Sequence, residues 1–174
     1  MKGTERRRDM ARRFSGSREP LKGAELASLF GVSRQVIVQD MALLRAQGLN
    51  VVATPGGYLL LPARGPECLV KTVVTRHNDY PSMEEELRIM VEEGATVLNV
   101  IVEHPLYGEI AGNLMISTPL EVALFMEKIR ESAGEPLSSL TGGIHLHTLE
   151  VPDEEAWNRI RRRLREKNYL QEGK

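Results

Sequence analysis

The sequence predicts an α+β chain in two parts: three helices closed by a β-hairpin, then a two-layer α/β sandwich whose sheet is mainly antiparallel. Three observations carry that expectation. Residues 1–64 hold 11 Lys+Arg against 5 Asp+Glu, a balance of +6, whereas residues 65–174 hold 12 against 19, a balance of −7. Apolar residues recur at helical spacing through the first half and lead into a Pro-Gly-Gly turn at 55–57. The second half alternates strand-like and amphipathic segments in the order β-α-β-β-α-β-α. The expected domains are 1–64 and 65–174, joined through "PARGP" at 62–66.

Composition narrows the function. A basic half followed by an acidic half suggests a polyanion-binding module joined to something else, although solvated charges also cluster by chance. The longest apolar run, residues 95–102, contains Asn99 and is far too short to cross a bilayer. The arginine-rich start lacks the apolar stretch of a secretory signal. The single cysteine, Cys68, allows no internal disulfide and no zinc-ribbon spacing. A cytoplasmic protein with no membrane association is expected.

In the first half, "ERRRDMARRF" predicts a short helix with Met10 and Phe14 facing inward. "LKGAELASLFG" places Leu21, Leu26, Leu29 and Phe30 at helical spacing, with Gly31 as its stop. After a short turn, "VSRQVIVQDMALLRAQG" predicts a third helix with Ser33 as N-cap and Gly48 as stop. Its Ile37, Met41 and Leu44 should face the core, which turns Arg34, Gln35, Val38, Gln39 and Arg45 outward. "LNVVATPGGYLLL" reads as a hairpin, with strands at 49–53 and 58–61.

That arrangement suits double-stranded DNA. A helix fits the major groove, and side chains near its N-terminus reach base edges. Ser33, Arg34, Gln35, Val38 and Gln39 are the candidate DNA contacts: Arg34 for a guanine, Gln35 or Gln39 for an adenine, Val38 for a thymine methyl. The hairpin would track phosphates, with Arg64 or the N-terminal arginines adding to it. A three-helix scaffold that binds protein is the alternative. "LFGVSRQVIVQDMALLRAQGLNVVATPGGYLL" resembles the winged helix-turn-helix domains of bacterial repressors. It departs from their pattern in carrying Val-Ile-Val where a polar-Ile-basic triplet is common, which affects base preference rather than fold.

In the second half, "ECLVKTVVT", "ATVLNVIVE", "YGEIAGNLMIS" and "GIHLHTLEV" read as strands. "SMEEELRIMVEEG" reads as a helix with Met83, Leu87, Met90 and Val91 on one side and a capping box from Ser82 to Glu85. "TPLEVALFMEKIRES" has Thr118 as cap and Pro119 first, and the last helix, "PDEEAWNRIRRRLREKNYL", runs from acid to base.

His145 and His147 share one face of the last strand, with Leu149 and Val151 behind them. If helices cover the Ile144 and Leu146 face, both imidazoles emerge on the open one. Two histidines at i, i+2 can share a metal, or simply be surface or hydrogen-bonded groups. Further ligands are available in His77, His104, Glu103 and the run Glu84, Glu85, Glu86. His104 is equally a turn residue bonded to backbone, and the acidic run a solvated helix start.

"VIVEHPLYGEIAGNLMIS", "PLSSLTGGIHLHTLE" and "TRHNDYPSMEEEL" together resemble the three-histidine (3H) domain. With the helix-turn-helix in front, residues 5–170 are similar to NiaR-type transcriptional repressors of NAD biosynthesis and niacin uptake. The resemblance implies a divalent metal, nickel or zinc, on His77, Glu85, His145 and His147. It also implies nicotinic acid as co-repressor. Arg76, beside His77, is placed to pair with its carboxylate and His104 is the other candidate ligand contact. A homodimer is expected because paired recognition helices match a palindromic operator. The alternative from another class is a metal-dependent hydrolase acting on a pyridine-type substrate, with His104 or Glu103 as base. No Gly-rich phosphate loop, nucleophile elbow or Cys/His triad supports it. A third reading is a structural metal with a different effector.

Overall fold

A computed structural model of the chain describes residues 2–61, 68–132 and 134–171, and divides it into two compact units, Met1–Arg64 and Gly65–Lys174. The segment 62–66 expected as a linker, with Arg64 in it, lies outside the described residues.

The first unit is three helices and a hairpin. Helix α1 (Gly3–Gly16) buries Met10 and Phe14; α2 (Gly23–Phe30) buries Leu26 and Ala27 and ends at Gly31 in the left-handed region, φ 61°. Helix α3 (Arg34–Ala46) is capped by the Ser33 hydroxyl, which accepts from the Val36 N–H, and buries Ile37, Met41 and Leu44. Leu29, expected in the core, is 54% exposed, because Leu26, Ala27 and Phe30 form the inward side of this short helix. The pattern hides one feature: Asp40 on α3 is 2% exposed and accepts from Arg6 Nε at 2.6 Å and Arg7 Nη1 at 3.1 Å. These two arginines, expected to add to phosphate contacts, are held by a carboxylate inside the unit.

Strands β1 (Val51–Thr54) and β2 (Gly57–Leu60) pair antiparallel with Thr54 opposite Gly57. Arg45 Nε donates to the Val51 carbonyl at 2.6 Å, tying the end of α3 to the hairpin. Leu21 and Tyr58 exchange backbone bonds, both 2.8 Å, so the hairpin lies directly against the start of α2. Gly57 makes that approach feasible. Its φ is +139°, and a Cβ there would sit 2.6 Å from the Leu21 carbonyl oxygen. Gly57→Ala is therefore expected to destabilise this unit by about 3 kcal/mol through strain and backbone displacement, read as an earlier midpoint in urea unfolding.

The second unit is a two-layer sandwich. Its strands are β3 (Leu69–Arg76), β4 (Thr96–His104), β5 (Gly108–Ile116) and β6 (Ile144–Val151), in spatial order β3-β6-β4-β5, all pairs antiparallel. Helices α4 (Tyr80–Glu92), α5 (Pro119–Glu131) and α6 (Glu154–Glu166) bury their apolar sides against one face, with Leu87, Met90, Val122, Met126, Ile160 and Leu164 at the centre. A 3-10 turn, Leu137–Thr141, leads into β6. Thr118 and Glu121 form a reciprocal capping box on α5, and Asp153 caps α6. On α4 the cap is Asp79, which accepts from the Ser82 N–H at 2.8 Å, rather than the expected Ser82–Glu85 box. Asp79 wins because Pro81, which has no N–H, fits the first turn that begins at Tyr80.

The sheet also reverses one expectation. The helices cover the face carrying His145, His147, Leu149 and Val151, all buried, while Ile144 is 42% exposed. The apolar pair at 149 and 151 outweighs the isolated Ile144, so the imidazoles lie between the layers rather than in solvent.

Candidate metal centre and nucleic-acid interface

Three elements bring four side chains together. His77 follows β3, Glu86 projects from the second turn of α4, and His145 and His147 point inward from β6. Glu86 Oε2 lies 2.6 Å from His77 Nε2, 3.2 Å from His145 Nε2 and 3.5 Å from His147 Nε2. The ligand atoms of His77, Glu86 and His145 all lie within 4.8 Å of one another. All four residues are at most 7% exposed.

Backbone carbonyls orient two of the rings. His145 Nδ1–H donates to the Gly143 carbonyl at 2.8 Å, and His147 Nδ1–H donates to the Asn99 carbonyl at 2.8 Å. Because a carbonyl only accepts, the proton sits on Nδ1 in both rings and Nε2 faces Glu86. Asn99 sits at the register shift of β4 and uses its side-chain oxygen to accept from the Thr148 N–H at 3.1 Å. Gly143, at φ 93°, brings its backbone against the His77 carbonyl and the Asn78 side chain, where a Cβ has no room. The second glycine of "TGGIHLH" thus joins the His77 segment to the His145 strand.

The electrostatics are those of a carboxylate among imidazoles. Burial pushes the Glu86 carboxyl up, but the charge of nearby His147 and hydrogen bonds with His145 and His77 overcome it and hold the group well below its ordinary range. Burial pushes His145 down; its bond to Glu86 and that carboxylate's charge outweigh this and raise it. One acceptor is left over: among the described residues, Glu86 Oε1 is buried with no hydrogen-bond partner. An unpaired buried carboxylate oxygen is costly, and a cation is the partner this donor set fits. Three imidazoles and one carboxylate match borderline divalent ions. The cluster is compatible with a divalent metal.

Three sequence-derived candidates lie elsewhere. Glu85, expected as the carboxylate ligand, faces α6, where it accepts from Tyr169 Oη at 2.6 Å and pairs with Lys167; these bonds lower its pKa. Glu86 takes the inward place because it falls on the helical stripe with Met83, Leu87 and Met90, and Glu85 falls opposite. Arg76, expected beside the ligand, points to the uncovered face of the sheet, since alternation puts Thr75 and His77 inward. His104 ends β4, where Nδ1 accepts from the Leu106 and Tyr107 N–H groups at 3.2 and 3.3 Å and its ring stacks on Tyr107. That is the turn role, away from the cluster.

In the first unit, Ser33, Arg34, Gln35, Val38 and Gln39 are all exposed along the N-terminal half of α3, with Val38 44% exposed. They form a continuous face opposite Ile37 and Met41.

Comparison with known proteins matches both units. A 3H-domain model covers residues 70–173 and an HTH-domain model residues 6–59. The chain belongs to the 3H-domain, NiaR-type family of transcription repressors. It is 46% identical over 166 residues to the probable transcription repressor NiaR of Thermotoga maritima, covering 95% of this chain and 93% of that protein. It is 40% identical over 153 residues to the transcription repressor NadR of Bacillus subtilis, covering 87% and 85%. This repressor-family chain is thereby placed among regulators rather than enzymes, with an HTH module for DNA. No helix among the described residues is long and apolar enough to cross a membrane.

Proposed function

We propose that the chain represses genes of NAD biosynthesis and niacin uptake. In this reading it binds operator DNA as a homodimer, with nicotinic acid as co-repressor and a divalent metal, nickel or zinc, on His77, Glu86, His145 and His147. The observation that carries the reading is the buried Glu86 carboxylate, whose Oε2 faces three converging imidazoles while Oε1 has no partner among the described residues. The link to NAD and nicotinic acid comes from the resemblance to NiaR-type repressors. A bound Ni(II) or Zn(II) would supply positive charge and room for a carboxylate or pyridine nitrogen from the effector.

The chain's own residues do the rest. Gly143 and Asn99 carbonyls fix the His145 and His147 tautomers so that both Nε2 atoms face the cation position. Ser33, Arg34, Gln35, Val38 and Gln39 present the groove-reading surface, while Asp40 holds α1 to the back of α3 through Arg6 and Arg7. A co-repressor acts here only by binding the DNA-competent form more tightly than the other.

The test is fluorescence anisotropy with a duplex selected by the protein from a random pool. Affinity is expected to fall on chelation, return with nickel or zinc, and rise further with nicotinic acid. Equal affinity in every condition rejects the reading. Within the same assay, Arg34→Ala is expected to weaken binding by about 1–3 kcal/mol per half-site and to relax preference at one base pair.

A further inference from the structure

The uncovered face of the C-terminal sheet carries an apolar row across all four strands. Register sets Val74 beside Leu146, Leu146 beside Ile101, and Ile101 beside Ala111; none of the four is buried. On one side lies a polar row, Thr72, Thr148, Asn99 and Asn113. On the other, Arg76 is beside Ile144, and Glu103 is beside Glu109. The side chains of Arg76, Glu103 and Glu109 pair with no described residue. Two like charges directly opposed on neighbouring strands are unfavourable by themselves.

We infer that this face is where a second copy of the chain docks, sheet against sheet; the inference rests on the homodimer of the proposed function and locates its interface. A two-fold axis running along the strands between β6 and β4 lays β3 of one copy over β5 of the other, and β6 over β4. Each row then meets its complement. Leu146 covers Ile101 of the second copy, Val74 covers Ala111, Thr72 and Thr148 meet Asn113 and Asn99, and Arg76 reaches the Glu109 and Glu103 pair. The roughly 10 Å between packed sheets is bridged by an arginine and a glutamate side chain. Four strands at about 4.8 Å spacing and about 27 Å length give roughly 500 Å² in plan per copy, or about 1,000 Å² for the pair, the threshold of a specific interface. Association edge to edge through β3 is blocked, because residues 169–171 already pair with it: Arg76 N–H donates to the Tyr169 carbonyl and Gln171 N–H to the Val74 carbonyl, both 2.9 Å.

Sedimentation equilibrium on the full chain, with the charges exchanged, tests this. Arg76→Glu and Glu109→Arg should each weaken self-association at least about tenfold, and the R76E/E109R double variant should return to within about threefold of wild type. That rescue distinguishes pairing from misfolding. A wild-type chain that stays monomeric overturns both the dimer and its location. A dimer indifferent to all three variants, or two weakened single variants with no rescue, overturns the location alone.

Discussion

Glu86→Gln is expected to lower divalent-metal affinity at least about 100-fold, whereas Glu85→Gln leaves it within about twofold. The first figure exceeds the 10–100-fold typical of losing a supporting group around a metal, because a charged ligand itself is removed. The contrast follows from placement. Glu86 sits within hydrogen-bond reach of two imidazoles and close to a third, with its other oxygen unpartnered. Glu85 is occupied by Tyr169 and Lys167 on the other side of α4. Competition against a chromophoric chelator measures both variants. Loss of affinity in Glu85→Gln with Glu86→Gln unchanged would move the ligand back to the neighbour.

The stabilisation conferred by metal should grow as pH rises from 6 to 8. Without metal, the bond between protonated His145 and the Glu86 carboxylate helps hold the cluster together. The raised pKa of His145 gives a stabilising contribution fully present below the unfolded imidazole value near 6.5 and lost as pH climbs through the higher folded value. Glu86, depressed in the fold, contributes above its ordinary range and loses that contribution only as pH falls through its low folded value. The metal-free unit therefore weakens on the alkaline side. Metal binding instead needs neutral imidazole and releases the His145 Nε2 proton, so it strengthens over the same interval. Melting with and without chelator at pH 6, 7 and 8 should show a widening gap. A gap that narrows with pH contradicts the raised pKa of His145.

Much of this was legible in the sequence, for identifiable reasons. The three N-terminal helices and their caps at Ser33 and Gly31 follow from spacing and local chemistry, as does the hairpin at Pro55-Gly56-Gly57. The strand order does not, because β6 is inserted between β3 and β4 by packing that no local signal records. His77, His145 and His147 were visible as donors, but which face of β6 is covered depended on Leu149 and Val151 rather than Ile144. Glu86 was hidden in a run of three acids, although periodicity singles it out with Met83, Leu87 and Met90. Asp40 was hidden because its partners, Arg6 and Arg7, are 34 and 33 residues away.

The central claim is that occupancy of the His77, Glu86, His145 and His147 cluster sets the grip of α3 on DNA. Its most direct test is a titration of operator affinity against metal, with nicotinic acid saturating, for the wild type and Glu86→Gln side by side. The wild type should tighten as metal is added, and Glu86→Gln should need at least about 100-fold more metal for the same tightening. Coincident curves for the two proteins, or a flat wild-type curve, would contradict it.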